Sequence, residues 1–348
     1  MDMIKPKRLR PGDRIAVVSL SWGALGEPNF IHRYEIAKKR LWEEFGLETV
    51  CMPHALCGSA FLSRHPRLRA KDLMDAFLDP NISAVFCAIG GEDTIRLLPY
   101  IDFDVLRENP KIFMGYSDST INHFMMYHAG LVSFYGPSIL AEFGEYVELF
   151  SYTKDAVRRA LFEDTAGWSI PSSPEWSDDF VLWDEKNIHI KKTLKPDLHG
   201  YEVLQGSGCA EGHLFGGCID VFSMTANTCL WPSCKQLEGA ILFLETSEEK
   251  PSPSIVRYTL RNLAAQGILS SLHGILFGKP QGEVYYEEYK EALLQVVSEE
   301  EGLHDLPILY NINIGHAAPI GVLPYGVRAR IDCEEKALIL LESATVEP

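Results

Sequence analysis

Apolar and polar positions follow two different patterns along the chain. In the first half, short unbroken apolar runs recur at "RIAVVSLS" (14–21), "LETVCM" (47–52), "SAVFCAI" (83–89), "IFMG" (112–115) and "LVSFYG" (131–136). Between them lie segments with helical spacing, near 30–45, at 69–79 with Leu73, Phe77 and Leu78 on one face, at "DTIRLLPYI" with Asp93 as its cap, and at "INHFMMYHAG". Unbroken apolar strands alternating with helices predict βαβ units and a parallel sheet buried on both faces. Right-handed crossovers then bring the C-terminal ends of the strands to one edge, where such sheets bind ligands.

The pattern changes near residue 165. Residues 166–205 contain prolines, glycines and three tryptophans but little periodicity, and read as a long connection with short strands or an inserted loop. A connection of this length in a compact chain is usually functional or flexible. Strand-like runs resume at "AILFLET", "GILFGK", "LYNINIG", "VRARID" and "ALILLE", with helical stretches at "SIVRYTLRNLAAQG" and "YYEEYKEALLQVVSEE". The expected fold class is therefore α/β. A parallel-sheet domain over 1–165 is joined by the 166–205 connection to a smaller mixed α/β domain over 206–348.

The chain has 348 residues, and its 48 acidic against 32 basic side chains give a formal charge of −16. That balance argues against nucleic acid or an anionic membrane as partner, because phosphates call for a basic footprint. The N-terminal stretch lacks an apolar core before a cleavage site, and no apolar run is long enough to span a bilayer, so a cytoplasmic location is expected. The eight cysteines form no C-x-x-C pair and read as free thiols. The histidines show no metal-binding spacing, so neither a metal nor a cofactor is expected.

Four stretches carry candidate chemistry. In "KIFMGYSDST", Ser117 falls at a strand-to-helix turn, flanked by the small residues Gly115 and Ser119. A nucleophile elbow projects its serine from such a turn; alternatively Ser117, Asp118 or Ser119 caps the following helix. In "CAIGGEDTIRLL", Gly90 and Gly91 end a strand on the same sheet edge. The Gly91 and Asp118 N–H groups there would form a two-donor oxyanion hole, or the glycine pair is only a tight turn. In "ILFLETSEEKPSP", Glu245 ends an apolar strand, where a carboxylate orients an imidazole, caps a helix or meets solvent; Glu248 and Glu249 read as exposed. In "LYNINIGHAAP", His316 stands among small residues, which suggests a packed turn. Taken together, Ser117, Glu245 and His316 supply a nucleophile, an imidazole orienter and a general base.

These stretches, with "GHLFGGCIDV", occur in the order seen in the LD-carboxypeptidase family of serine peptidases, which the chain resembles over nearly its whole length. The resemblance implies a serine hydrolase with a Ser117–Glu245–His316 triad and Gly91 and Asp118 as oxyanion donors. It also implies that the 1–165 domain is Rossmann-like and carries the serine, that the C-terminal domain carries Glu245 and His316, that the site lies between the two domains, and that the assembly is a homodimer. Two branches are distinguished: one removes the terminal D-alanine of muropeptides, and the other, the microcin C self-immunity branch, hydrolyses aminoacyl-nucleotide antibiotics. The segment "EWSDDFVLWDEKN" resembles the immunity branch, in which an aromatic side chain stacks on the base. Gly90, Glu92, Trp183 and Trp176 are then the expected substrate contacts, with the tryptophans alternatively packing the connection onto the body. Cys218 follows Gly216-Gly217 where the family often has asparagine, so contacts made there do not transfer. The alternative of another class is a non-catalytic α/β ligand-binding protein.

Overall fold

The computed structural model describes residues 3–347. Five short strands form the first sheet: β1 (Arg14–Val18), β2 (Glu48–Cys51), β3 (Ala84–Cys87), β4 (Ile112–Gly115) and β5 (Phe134–Tyr135). They lie parallel in the order β5-β4-β3-β1-β2. Every residue of β3 and β4 is buried, as unbroken apolar strands require when helices cover both faces.

The helix Ile31–Phe45 buries Tyr34, Ala37, Leu41 and Phe45 along one stripe and ends at Gly46 in the left-handed region. The helix Pro66–Leu78 buries Leu73 and Phe77, but Leu78 is 52% exposed. Leu78 is a further 100° around the helix from Phe77, which carries it off the expected face. Asp93 does not act as a cap. Its carboxylate pairs instead with Arg69 at 2.6 Å and Arg96 at 2.8 Å.

The remaining strands are β6 (Ser169–Ile170), β7 (Glu175–Trp176), β8 (Lys195–Pro196), β9 (Glu202–Gln205), β10 (Cys209–Cys218), β11 (Ile241–Glu245), β12 (Gly274–Gly278), β13 (Ile308–Ile312), β14 (Leu323–Pro324), β15 (Arg328–Asp332) and β16 (Ala337–Leu340). Eight of these form a second sheet in the order β6-β16-β15-β10-β11-β12-β13-β9. The glycine-rich β10 had no clear apolar periodicity, yet it joins the two halves of this sheet. Its first part pairs antiparallel with β15 and its second part parallel with β11. The segment between residues 166 and 205 supplies the edge strands β6 and β9 and a small β7–β8 ribbon. Late in the chain, β14 crosses back to pair antiparallel with β5 of the first sheet.

The helix Thr120–Ala129 lies between the two sheets and is buried except at His128. Phe124 packs tilted and Tyr127 edge-on against Phe215 of β10, with ring centroids 4.6 and 4.9 Å apart. A helix covered on all sides needs partners for its buried polar groups, and the His123 ring meets the Ser133 hydroxyl at 2.8 Å and the Gly115 carbonyl at 2.9 Å. This packing presses the turn before Thr120 against the C-terminal ends of β10 and β11. Among the described residues, no helix is long and apolar enough to cross a membrane.

Candidate active site

Ser117 stands where β4 ends. Tyr116 is extended and Ser117 takes φ +64°, turning the chain sharply toward the helix Thr120–Ala129. Positive φ at a non-glycine residue is uncommon and costs on the order of 1–3 kcal/mol. Capping does not explain the turn. Ser119 occupies the N-cap position without a side-chain cap bond. Asp118 directs its carboxylate to the Ser21 hydroxyl at 2.5 Å and the Thr94 N–H at 2.9 Å. Gly90 closes over the turn so tightly that a Cβ there would lie 2.7 Å from Ser117 Cβ and 3.4 Å from the Asp118 nitrogen.

Glu245 and His316 meet beneath this turn. Glu245 ends β11, is 1% exposed, and accepts a hydrogen bond from His316 Nδ1 at 2.8 Å. The approach depends on Gly315, whose φ is +80° and where a Cβ would fall 2.2 Å from Glu245 Oε2. Glu245 therefore neither caps the helix Pro253–Ala265 nor faces solvent. The Tyr116 ring meets the His316 ring edge-on at 5.0 Å. The other imidazole nitrogen, Nε2, faces Glu248 Oε2 at 3.1 Å. Glu248, read from sequence as simply exposed, thus holds one end of the imidazole while remaining 59% exposed. Burial alone would lower the pKa of His316, but the charge of Glu245, its hydrogen bond and the nearby Glu248 outweigh it and raise the group to about 9.

Ser117 and His316 open on a cavity of about 1000 Å³, whose wall also includes Gly90, Gly91, Glu92 and Trp183. Trp176 is not part of this wall. It is 4% exposed, with Lys195 and Lys279 over its ring at 3.9 and 4.4 Å, so it packs the connection rather than facing a ligand. Trp183 packs edge-on against Phe30, which packs in the same way against Trp22. The Arg33 guanidinium lies 4.3 Å from the Trp183 ring, and Lys192 is paired with Glu145 at 2.6 Å. Another part of the wall is acidic, with Asp220, Glu248 and Glu249, and the charges of Glu248 and Asp220 act on His316. The connection is anchored to the His316 turn by the Ser177 N–H, which donates to the Ala318 carbonyl at 2.9 Å.

Several of these groups were not identified from sequence. Tyr135 donates to Glu245 Oε1 and accepts from the Ser117 N–H. Its position at the end of β5, on the ligand-binding sheet edge, was the available signal. Trp22, Phe30 and Arg33 had none, because an aromatic residue or arginine in a loop or at a helix start is unremarkable.

Residues 15–136 match the LD-carboxypeptidase N-terminal domain, and residues 211–331 match the LD-carboxypeptidase C-terminal domain. The chain is 30% identical to the microcin C7 self-immunity protein MccF of Escherichia coli, over 79% of this chain and 78% of that one. It is also 30% identical to the murein tetrapeptide carboxypeptidase of Pseudomonas aeruginosa, over 85% and 87% of the two chains. Among solved structures, an MccF-like protein from Streptococcus pneumoniae in complex with AMP superposes with a TM-score of 0.84 at 35% identity, covering 94% of this chain and 98% of that one. MccF in complex with aspartyl sulfamoyl adenosine gives 0.84 at 26% identity, over 99% and 100%. The chain belongs to the LD-carboxypeptidase family of serine-type peptidases.

Proposed function

We propose that this peptidase hydrolyses the amide-type bond between an aminoacyl group and a nucleotide-like moiety, with Ser117 as nucleophile, His316 as general base and Glu245 as its orienter. The observation that carries this reading is the aromatic group of Trp22, Phe30 and Trp183 in the wall of the cavity that Ser117 opens on. A planar base stacks on such rings, each stack contributing roughly 1–3 kcal/mol. The nearby Arg33 and Lys192 suit the anionic linker of a nucleotide, while the acidic wall suits the ammonium group of an aminoacyl substrate.

In this scheme His316 Nε2 takes the Ser117 proton as Oγ attacks the scissile carbonyl. The Gly91 and Asp118 N–H groups receive the oxyanion. His316 then returns the proton to the departing nitrogen, and water repeats the sequence on the acyl-enzyme. Glu248 must leave Nε2 before Ser117 can use it, and its exposure leaves room for that movement. Tightening of catalytic hydrogen bonds on substrate binding is common in this class of site.

A second reading is supported by Arg33 and Lys192, which also suit the terminal carboxylate of a muropeptide. Parallel assays on an aminoacyl-sulfamoyl adenosine and on a murein tetrapeptide distinguish the two. Preferential cleavage of the nucleotide substrate is expected; cleavage of the tetrapeptide alone rejects the first reading.

A further inference from the structure

The fold gathers a thiol, a carboxylate and an imidazole at the base of the cavity. Cys218, Glu245 and His316 each place one ligand-type atom within 4.8 Å of the others. Cys218 and Glu245 are register partners at the ends of β10 and β11, and both are 1% exposed. Cys218 and His316 line the cavity wall. The Cys218 thiol donates to Asp220 Oδ2 at 3.3 Å and has no task in the acyl-transfer scheme.

We propose that Cys218, Glu245 and His316 form a binding site for a thiophilic divalent cation of the zinc type, and that its occupation reversibly switches off hydrolysis. One thiolate, one imidazole and one carboxylate, with a fourth position open to the cavity, is a zinc donor set. The sulfur ligand selects zinc, cobalt or cadmium over magnesium and calcium. With metal–ligand bonds of about 2.0–2.3 Å, donor atoms of a tetrahedral site stand roughly 3.5 Å apart. Side-chain movements of about 1 Å therefore close the trio around an ion. Binding displaces the Cys218 thiol proton and any proton on the coordinating imidazole nitrogen, both released to solvent. Asp220 and Glu248 add negative charge around the cation. Once coordinated, Glu245 and His316 no longer act as orienter and base. Metal binding stands by itself, whereas the inhibition rests on the proposed Ser117 chemistry.

The test is a cobalt titration of the full-length protein followed by its thiolate-to-cobalt charge-transfer absorption. One equivalent is expected to develop the band, and zinc to displace it. Ser117→Ala should retain the band, whereas Cys218→Ala and Cys218→Asn, checked for folding by thermal melts, should bind at least tenfold more weakly and lack it. Cys209→Ser disables the exposed group of Cys209, Asp332 and Glu334 and should leave the band unchanged. No band in the wild type, or one that persists in both folded Cys218 variants, overturns the site. Zinc should also inhibit wild-type hydrolysis, reversibly with chelator; full activity with zinc bound overturns the switch. Absence of hydrolysis from metal-free protein on both substrates would reject the proposed function while leaving the cobalt result intact.

Discussion

The Tyr135 hydroxyl donates to Glu245 Oε1 at 2.5 Å, and the same oxygen accepts the Ser117 N–H at 3.2 Å. One phenol on the first sheet thereby ties the serine turn to the carboxylate of the second. Tyr135→Phe removes both bonds while keeping the ring. It leaves a buried carboxylate oxygen without its donor, which costs about 1–3 kcal/mol. A lower melting temperature together with a reduced kcat is expected. Unchanged kcat in a destabilised variant would assign Tyr135 to packing alone.

Ser117→Ala should abolish hydrolysis and leave the fold intact, since the side chain has little bulk and lies at the cavity wall. Double substitutions within Ser117, Glu245 and His316 should cost little more than the single ones, because the members of such a unit are not additive. Near-normal turnover by folded Ser117→Ala would rule out the serine mechanism.

A base must be neutral to accept a proton. With His316 raised to about 9, kcat/KM should climb with pH through that region, above the neutral range ordinary for histidine. The same shift has a sign for stability. The contribution is present in full below the ordinary value of 6.5 and is lost as pH rises through about 9. Glu248→Gln removes one of the charges holding the proton, so the midpoint of the rate profile should move to lower pH. An unmoved midpoint would mean that Glu248 does not face Nε2 in solution.

Trp183→Ala should selectively impair the nucleotide-like substrate, by roughly tenfold or more if the stacking energy is lost. A muropeptide has no planar base and should be affected less. Arg33 also loses the ring it lies over, so a modest drop in melting temperature is expected, short of the roughly 3–5 kcal/mol typical of a deleted core tryptophan. Equal loss on both substrates with a large drop in melting temperature would make Trp183 a packing residue.

Gly315→Ala should separate the carboxylate from the imidazole. Its Cβ would overlap Glu245 Oε2, and its φ of +80° is strained for alanine. The expected outcome is a strongly reduced kcat with a rate profile shifted toward lower pH, as His316 loses the charge beside it. A normal profile would show that the turn relaxes without parting the two groups.

The local order of the chain determined a good deal. Unbroken apolar runs at Ile112–Gly115 and Ile241–Glu245 specify buried strands by themselves, because their solubility in a folded chain depends on being covered. Each places one chemical residue, Ser117 or Glu245, at a strand's end. Periodicity is a property of neighbours, however, and the contacts that make the site are not between neighbours. Glu245 and His316 are 71 residues apart, and Tyr135 and Glu245 are 110 apart. The switch of β10 from antiparallel to parallel pairing sets Cys218 beside Glu245, and nothing in "GHLFGGCIDV" by itself specifies that partner. Trp176 and Trp183 read alike in sequence; only the packing of the connection buries one beneath lysines and turns the other toward the cavity. Which side of a tryptophan meets solvent, and which carboxylate meets an imidazole, depends on the burial and charge that distant segments bring, and those exist only once the two sheets have closed on the helix between them.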